Sequence, residues 1–326
     1  MKIAIVRLSA FGDIIHSMIV LQFLKKHFPA SQIDWYVSGK FAEILQNVKH
    51  IDNVHRVDLD IKNGIKGILQ IYKELKKLKV NKGYDIVIDL QGLIKSAVIS
   101  KFINSKRRVG FDSKSSKEFL SSVFYNESYR IPYTKNIILR NIELIESAFK
   151  IKINKGEIDK KEPFFEDKKY VIEDDYIVFI LGASFPSKIY PVDKLSILAG
   201  NIEKKIYAVY HSNEEKKMAE ELSQISNNVE IYHSKNFNDL LKIIRSALLV
   251  VGGDTGPTHL AWGLNRPSIT LFGSTPMDRN CYHTKTNLAL SSGDKINPFK
   301  IDKACDSIKN IEPSDISEAV QKILAN

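Results

Sequence analysis

A glycine-rich stretch near the carboxyl end of the chain, VVGGDTGPTHLAWG at 250–263, has the composition of a turn that approaches a ligand closely. The apolar run Ala247–Val251 predicts a buried strand, and Pro257–Leu264 predicts a helix with proline at its first position. The start of such a helix has unpaired N–H groups and the positive end of the helix dipole, which favour an anion such as phosphate. An ordinary tight turn between a strand and a helix has the same composition, so both interpretations stay open.

Side chains in this turn could contact the same ligand. Hydroxyl and backbone N–H groups bind phosphate oxygens, and an imidazole one turn into the helix can donate to a phosphate or a sugar hydroxyl. The candidate residues are Asp254, Thr255, Gly256, Thr258 and His259. His259 lies beside Leu260 and is equally explained as a packed helix residue.

The first strand of the chain also runs into a polar turn. In IAIVRLSAFGDIIHSM, residues 3–18, the strand Lys2–Arg7 is followed by Gly12 and Asp13 and then by a helix. A carboxylate there lies where open parallel sheets bind ligands, and the helix dipole keeps it ionised, which suits a base that accepts a proton from a hydroxyl group. The alternative is that Asp13 is only a helix cap.

A third polar stretch, LGASFPSKIYP at 181–191, follows the first predicted strand of the second half. It places Ser184, Ser187 and Lys188 beyond the end of that strand. A lysine there could stabilise the negative charge that develops on a leaving diphosphate. An exposed lysine between two prolines is the alternative interpretation.

A fourth stretch, HSNEEKKMAEE at 211–221, follows the next predicted strand. An acidic residue at this place in a nucleotide-binding fold often binds ribose hydroxyls, so Glu214 or Glu215 is a candidate. Both residues could equally be acids in the first turn of a helix.

Short apolar segments alternate with helical segments along the whole chain. This alternation predicts an α/β protein with parallel sheets and helices on both faces, and 326 residues are enough for two domains. The predicted strands are Lys2–Arg7, Ile33–Val37, Val54–Asp58, Asp85–Leu90, Arg108–Phe111, Tyr176–Leu181, Ile206–Tyr210, Val229–Tyr232, Ala247–Val251 and Ser268–Phe272. The predicted helices are Ile14–His27, Ile65–Leu78, Ile94–Ile103, Ile137–Phe149, Glu214–Ser226, Phe237–Arg245 and a terminal helix capped by Ser314 that packs through Ile316, Val320, Ile323 and Leu324.

The alternation lapses at 150–175, a charged stretch without periodicity. We interpret this stretch as a linker between domains together with some edge structure. The linker joins two Rossmann-like domains, residues 1–165 and 166–326, that face a central cleft. Ligands of such sheets bind beyond the carboxyl ends of the strands, and all the polar stretches described above lie there.

The net charge of +10 is unevenly distributed. Residues 1–165 contain 29 Lys and Arg against 17 Asp and Glu, whereas residues 166–326 contain 19 against 21. An excess in one half indicates an anionic partner on that side, namely nucleic acid, an anionic membrane surface or an acidic substrate. Four lysines share one helix face: Lys62, Lys66, Lys73 and Lys77. Each of them taken alone is equally explained as part of a solvated face.

Several classes of protein are disfavoured by composition. Two cysteines, Cys281 and Cys305, make neither a disulfide framework nor a metal cluster and fit a reducing compartment. No apolar run is long enough to cross a bilayer, and the N-terminus lacks the pattern of a signal peptide, so we expect a cytoplasmic protein. The sequence has no GxGxxG, P-loop, HExxH, CxxC or GxSxG motif, and we expect neither a metal nor a cofactor.

Three motifs together resemble one family. SAFGD after the first strand, DLQGLIKSA at Asp89–Ala97 and GGDTGPTHLAWGLNRPSITLFGSTP at Gly252–Pro276 resemble the bacterial lipopolysaccharide heptosyltransferases, glycosyltransferase family 9, and most of all its type I members. The resemblance implies a GT-B fold and an inverting, metal-independent transfer of heptose from ADP-L-glycero-β-D-manno-heptose. The acceptor that it implies is the inner Kdo of Kdo2–lipid A at the cytoplasmic face of the inner membrane.

The resemblance also implies roles for individual residues. Asp13 matches the catalytic base of the family, and Lys188 matches the lysine that contacts the donor phosphates. The implied donor-binding residues are Ser184, Ser187, Glu215, Asp254, Thr255, Gly256, Thr258 and His259. The acceptor-side residues are Ser9, Gly12, Lys62, Lys66, Gln91, Lys95 and Lys117. Closure of the two domains would bring Asp13 against the sugar and exclude water.

Other functions fit parts of the same pattern. A type II heptosyltransferase would have the same fold, and a sugar-nucleotide epimerase on this fold would use Asp13 to abstract a proton without any acceptor. A non-enzymatic nucleotide- or nucleic-acid-binding protein would use the basic half. Its basic residues are not interleaved with stacking aromatic side chains, as binding of a single strand requires, so we expect no nucleic-acid partner.

Overall fold

The computed structural model describes residues 1–57, 73, 75–78, 83–166, 172 and 174–325. The chain forms two compact units, Met1–Glu166 and Asp167–Asn326. Each unit is built on one six-stranded sheet whose neighbouring strands all pair in parallel. The predicted α/β class with two parallel sheets is therefore confirmed.

The sheet of the first unit has the strand order β3-β2-β1-β4-β5-β6. Its strands are Lys2–Val6 (β1), Gln32–Val37 (β2), Asn53–Arg56 (β3), Tyr84–Asp89 (β4), Ser105–Phe111 (β5) and Glu127–Tyr129 (β6). The two central strands β1 and β4 are almost entirely buried, because helices cover both faces of a parallel sheet. The end of β1 lies beside the end of β4, with Val6 paired with Asp89.

The second unit repeats this arrangement with the order β12-β11-β10-β7-β8-β9. Its strands are Tyr176–Ile180 (β7), Lys205–Tyr210 (β8), Val229–His233 (β9), Leu249–Gly253 (β10), Ser268–Phe272 (β11) and Asn287–Ser291 (β12). In both sheets the strand order reverses next to the first strand of the unit, and ligands of open α/β sheets bind at that point.

Helices connect the strands in both units. In the first unit they are Phe11–Ser17 (α1), Ile19–His27 (α2), Ile94–Phe102 (α3), Ile137–Phe149 (α4) and Lys155–Asp159 (α5), with 3-10 helices at Gly39–Leu45 and Phe119–Phe124. In the second unit they are Val192–Gly200 (α6), Asn213–Ile225 (α7), Phe237–Ser246 (α8), Gly256–Gly263 (α9), Met277–Asn280 (α10) and Pro313–Leu324 (α11), with 3-10 helices at Pro186–Lys188 and Ser307–Asn310. No helix among the described residues is both long enough and apolar enough to cross a membrane.

Local sequence explains where these helices begin and which face they bury. In α4 the Asn136 side chain caps the helix by accepting from the N–H groups of Ile138 and Leu139, and Lys150 ends it in the left-handed region at φ 56°. The amphipathic helix α8 buries Phe237, Leu240, Leu241, Ile243 and Ile244.

Several predicted bounds were wrong. The predicted helix Ile14–His27 is two helices separated at Met18, and the first of them begins at Phe11. The predicted strand Ala247–Val251 is shifted to Leu249–Gly253, so its two glycines belong to the strand. The edge strands β6 and β12 were missed, because edge strands need not be apolar on both faces.

The prediction for the terminal helix also needs correction. The terminal helix begins at Pro313 with Glu312 at the cap position, so Ser314 is not the cap, and Leu324 is exposed. Within the predicted linker, residues 150–166 belong to the first unit. They include α5 and the buried Phe165, which pairs with Val48 in an isolated bridge.

Part of the predicted basic helix Ile65–Leu78 lies outside the described residues, and so do Lys62 and Lys66. Residues 75–78 are helical, and Leu75 and Leu78 are buried, as the predicted apolar stripe requires.

We predict that Gly110→Ala destabilises the first unit. A Cβ atom at Gly110 would lie 2.3 Å from the ring of Tyr125, whose hydroxyl group donates to the buried carboxylate of Asp89. The free energy of unfolding should fall by about 1–3 kcal/mol, measured by urea denaturation. Gly156→Ala in helix α5 is the control: a Cβ there meets nothing within 4 Å, and stability should stay unchanged or rise slightly. Equal stability of Gly110→Ala and the unsubstituted protein would contradict this packing argument.

Candidate active site

Asp13 lies in the first turn of α1, directly after the carboxyl end of β1. The cap position is Ala10, and no side chain caps the helix, so the interpretation of Asp13 as a helix cap is wrong. Its Oδ2 atom lies 2.7 Å from Nη2 of Arg7, and 40 % of the Asp13 side chain is exposed. The carboxylate is therefore oriented by a cation and still accessible to a substrate.

Arg7 is a residue of this site that the sequence analysis missed. Its side chain is only 5 % exposed, and its Nη1 atom donates to the carbonyl oxygen of Leu90 at 2.6 Å. One guanidinium group thus joins the end of β1, the end of β4 and Asp13. Such an ion pair favours the ionised carboxylate and holds it in one orientation. The available signal was a single arginine at the end of an otherwise apolar strand.

A second buried acid shapes the neighbouring turn. Asp89 ends β4, and its Oδ1 atom accepts from the N–H groups of Gln91 and Gly92, at 2.8 and 3.1 Å. The hydroxyl group of Tyr125 donates to its Oδ2 atom at 2.7 Å. Burial raises the pKa of the Asp89 carboxyl, and these hydrogen bonds offset the shift only in part. Asp89 therefore determines the position of the turn that carries Gln91.

Gln91 connects this turn to the loop that precedes Asp13. Its Oε1 atom accepts from the N–H group of Leu8 at 2.8 Å, and its Nε2 atom lies 3.5 Å from Oγ of Ser9. The structure thus places Ser9, Gln91 and Asp13 at the same edge of the first sheet, as predicted from their motifs. Gly12 is half-buried in the same helix turn as Asp13.

The predicted acceptor-side lysines lie on segments that leave this edge. Lys95 is exposed in the first turn of α3, which follows β4. Lys117 is exposed in the segment that follows β5. Lys62 and Lys66 lie outside the described residues.

In the second unit, Asp254 is the residue on which the candidate site is assembled. It follows β10 and is buried. Its Oδ1 atom lies 2.7 Å from Nε2 of His259, and its Oδ2 atom accepts from Nζ of Lys188 and from Nδ2 of Asn280, both at 3.0 Å. Three segments of the unit therefore meet at one carboxylate: the 254–259 turn, the segment of Lys188 and helix α10 with Asn280. The sequence analysis missed Asn280, because no motif around this residue indicates that it belongs to a site.

The charge of Asp254 follows from these contacts. Burial alone would raise the pKa of its carboxyl, but the hydrogen bond from His259 and the charge of Lys188 lower this pKa well below its usual range. An ionised carboxylate only accepts hydrogen bonds, so Nε2 of His259 carries a proton. Burial and the nearby Asp254 charge raise the pKa of the Cys281 thiol to about 12.

Lys188 is held in place by the same residue. Its Nζ atom also donates to the backbone oxygen of Asp254 at 2.9 Å and lies 4.8 Å from the centre of the Phe185 ring. The side chain is 14 % exposed, so the interpretation as an ordinary exposed lysine is wrong. An ammonium group has three donors, and Asp254 occupies two, which leaves one for a ligand oxygen.

The two glycines of the motif have a packing role. A Cβ at Gly253 would lie 2.1 Å from the backbone oxygen of Lys188, and one at Gly252 would lie 2.6 Å from Oγ1 of Thr258. These positions must be glycine so that the Lys188 segment and helix α9 can approach β10. Both glycines thus have a packing role that the sequence analysis did not assign to them.

The start of α9 keeps the donors expected of a helix N-terminus. Gly256 is its first residue. Pro257 is the second residue, whereas we had predicted it to be the first. Among the hydrogen bonds of the described residues, none uses the backbone N–H of Gly256 or of Thr258. These N–H groups and the dipole of the helix suit an anion at this end.

The remaining candidate hydroxyl groups differ in accessibility. Ser184 is exposed, whereas Ser187 is buried and hydrogen bonded to Ser274. Thr258 is fully buried, and its Oγ1 atom lies 3.2 Å from Oγ1 of the partly exposed Thr255.

Glu215 lies in the first turn of a helix, as one of the two interpretations of this residue predicts. Its Oε2 atom accepts from the N–H groups of His211 and Ser212, at 2.6 and 3.2 Å, and forms a capping box at the start of α7. A Cβ at Gly182 would lie 1.8 Å from its Oε1 atom, so this carboxylate packs directly on the segment after β7. Glu214 is exposed in the same turn.

No set of three or more His, Cys, Asp or Glu side chains in the described part of the chain is grouped as metal ligands would be. In the second unit, Lys188 and the start of α9 offer positive charge to a ligand. The arrangement suits the binding of an anion in this unit, and the first unit offers an accessible carboxylate.

Comparisons with known proteins agree with this combination of fold and site. The model of Glycosyltransferase family 9 (heptosyltransferase) matches residues 71–306. A solved structure of the E. coli heptosyltransferase WaaC with ADP-2-deoxy-2-fluoro heptose has the same fold, with a TM-score of 0.79, 21 % identity and 99 % of both chains covered. The protein is thus a glycosyltransferase with the GT-B fold.

Sequence relatives give the same result at higher identity. The chain is 36 % identical to the lipopolysaccharide heptosyltransferase 1 of Campylobacter coli, with 100 % of both sequences covered. It is 27 % identical to the enzyme of that name from Salmonella typhimurium, over 84 % of this chain and 89 % of that one. The chain belongs to glycosyltransferase family 9, the heptosyltransferases.

We predict that Asp254→Asn weakens the second unit by about 2–4 kcal/mol at neutral pH, because the Lys188 charge loses its buried partner. The pH dependence should change as well. Because folding lowers the pKa of Asp254, its contribution is complete above the unfolded value of about 3.9 and is lost as the pH falls below it.

The unsubstituted protein should therefore lose more stability between about pH 5 and pH 3 than Asp254→Asn does, as measured by urea denaturation at each pH. Asp193→Asn, which changes an exposed acid of the same unit, serves as the control and should keep the pH dependence of the unsubstituted protein. Identical pH dependence in all three proteins would contradict the assigned charge of Asp254.

Proposed function

We propose that the protein transfers L-glycero-D-manno-heptose from ADP-heptose to the inner Kdo of Kdo2–lipid A, in the assembly of the lipopolysaccharide core. The observation that carries this proposal is the accessible Asp13 carboxylate held by Arg7 at the mouth of the first sheet. The names of the two relatives support the type of acceptor. The WaaC structure, which holds a fluorinated ADP-heptose, supports the type of donor.

In the proposed reaction, Asp13 acts as the general base. The Asp13 carboxylate accepts the proton of a Kdo hydroxyl group while the hydroxyl oxygen forms a bond to the anomeric carbon of the heptose. The bond from that carbon to the phosphate oxygen breaks, and ADP leaves with the electron pair. Attack from the face opposite to ADP inverts the anomeric configuration. The Arg7 guanidinium orients the carboxylate before attack.

The second unit would bind the donor and stabilise the leaving group. The free N–H of the Lys188 ammonium and the first N–H groups of α9 would bind the diphosphate, where negative charge increases as ADP leaves. The exposed Ser184 and the partly exposed Thr255 are accessible to the same phosphates. Asp254 and His259, which are buried, would act mainly by holding this turn and Lys188 in position.

The remaining donor residues have more indirect roles in this proposal. Because Oε2 of Glu215 is used in the capping box, a ribose hydroxyl would have to be bound through its Oε1 atom. The buried Ser187 and Thr258 would support the phosphate-binding turns from behind.

The basic first unit would bind the acceptor. Kdo carboxylates, lipid A phosphates and the lipids around them are anionic, and an excess of lysine and arginine on one unit would attract all three. Lys62, Lys66, Lys95 and Lys117 are the proposed cations, and Ser9, Gly12 and Gln91 the proposed neutral contacts. We accordingly propose a cytoplasmic protein that associates peripherally with the inner membrane.

The proposal is tested by mass spectrometry of Kdo2–lipid A after incubation with the protein and ADP-heptose. The expected product is heavier by one heptose on the inner Kdo. A product that forms only when the acceptor already contains one heptose would indicate a type II enzyme. A change in the donor with no acceptor present would indicate an epimerase.

We predict that Asp13→Asn lowers kcat by on the order of 10³-fold, because the amide cannot accept the proton of the attacking hydroxyl group. Donor affinity, measured by titration calorimetry with ADP, should stay the same. Asp85→Asn is the matched control: Asp85 is exposed at the amino end of β4, where it accepts from the N–H group of Lys2, and turnover should be normal. Near-normal turnover of Asp13→Asn would remove this residue from the role of base.

We also predict that the reaction is independent of metal ions, because Lys188 and the start of α9 supply the positive charge that the leaving diphosphate requires. Initial rates should be equal before and after treatment with EDTA and dialysis. A rate that falls with EDTA and recovers on addition of Mg²⁺ or Mn²⁺ would disprove metal independence while leaving the assignment of the base intact.

A further inference from the structure

Four large apolar side chains that take no part in the site are exposed on neighbouring segments of the first unit. Ile94 is 38 % exposed, Phe119 63 %, Leu120 48 % and Val123 70 %. We call these four residues the apolar patch. Single exposed apolar side chains are common in proteins, whereas a cluster of large ones usually marks an interaction surface.

The apolar patch is one surface, because its two segments are packed together. The 3-10 helix Phe119–Phe124 contacts α3, which begins at Ile94. The Glu118 side chain accepts from the N–H group of Ile94 at 2.7 Å, and Oγ of Ser121 donates to the carbonyl oxygen of Gly92 at 3.3 Å.

The surroundings of the apolar patch are basic. Lys95 follows Ile94 directly, and Lys114 and Lys117 precede Phe119 within a few residues; all three lysines are exposed. The acid of this stretch, Glu118, is bound at the start of α3, where the helix dipole offsets its charge. Apolar side chains surrounded by lysines have the composition of a surface that enters the headgroup region of an anionic bilayer.

We propose that the apolar patch inserts into the surface of an anionic phospholipid bilayer. The choice of a bilayer rests on the proposed function, in which the acceptor is a membrane lipid. Position supports the choice, because α3 follows β4 and the Phe119–Phe124 helix follows β5. Both elements therefore leave the edge of the sheet at which Asp13 and Gln91 lie, and a bilayer on the apolar patch would present its headgroups at that edge.

A second copy of the chain is a less suitable partner. In a symmetric dimer through the apolar patch, the lysines around it would face their own copies, and like charges across an interface oppose association. An anionic bilayer instead neutralises these lysines while it accepts the apolar side chains.

The test is co-sedimentation of the full chain with vesicles of phosphatidylcholine, with and without phosphatidylglycerol. Binding should require phosphatidylglycerol and should weaken at high salt. The double variant Phe119→Ser with Val123→Ser should bind about 10- to 100-fold more weakly, since two large apolar side chains no longer insert. The matched control is Ile197→Ser with Ile225→Ser, which changes two exposed isoleucines of the second unit and should bind normally.

Three results would overturn the proposal. The first is unchanged vesicle binding by the Phe119→Ser, Val123→Ser variant, and the second is an equal loss of binding in the control variant. The third is a dimer, detected by sedimentation velocity, that the Phe119→Ser, Val123→Ser variant alone abolishes. Urea denaturation should give the same stability for both double variants, since all four side chains are exposed. Transfer to a deacylated, water-soluble acceptor should be unaffected by the substitutions. Failure of that transfer in the unsubstituted protein would count against the proposed function and leave the vesicle result intact.

Discussion

The charge of Asp254 can remain inside the second unit only because His259, Lys188 and Asn280 donate hydrogen bonds to it. A buried carboxylate without such partners would take up a proton or destabilise the fold by several kcal/mol. This requirement explains much of the surrounding structure. Lys188 and His259 must lie at the end of β10 to bind this carboxylate. The close approach of their segments leaves no room for side chains at Gly252 and Gly253. The buried Asp254 carboxylate thus determines the position of the phosphate-binding turn that we propose.

The first unit uses charge differently. The Asp13 carboxylate is left partly exposed and is paired with the buried Arg7, so it can meet a substrate without losing its orientation. The buried Asp89 orders the adjacent turn through backbone N–H groups. The two units also differ in net charge, which agrees with the different ligands that we propose for them. The nearly neutral second unit would bind an anionic donor through a helix end and one lysine. The basic first unit would attract an anionic lipid acceptor and the membrane surface around it.

Much of the candidate site could be predicted from sequence, because the strand-to-helix turns of a parallel sheet carry the polar residues that matter. Asp13, Lys188 and the 254–259 turn all lie at the carboxyl ends of strands, as their position after apolar runs indicated. Arg7 and Asn280 were missed for a physical reason. Their roles arise from contacts with residues far away in the chain, and neither residue belongs to a local pattern that would mark it. The packing role of the glycines was missed for the same reason, since their close neighbours come from other segments.

The sequence by itself determined the α/β class, most of the strands and helices, the charge difference between the halves and the motifs of the family. These properties depend on local periodicity and composition, which act within a few residues. Only the tertiary structure decided that Asp254 is buried and paired with Lys188, that Asp13 is bound to Arg7 rather than serving as a cap, and that exposed apolar residues of two segments form one surface. Each of these results depends on the distance between atoms that the chain brings together only when it folds, and no local pattern contains that distance.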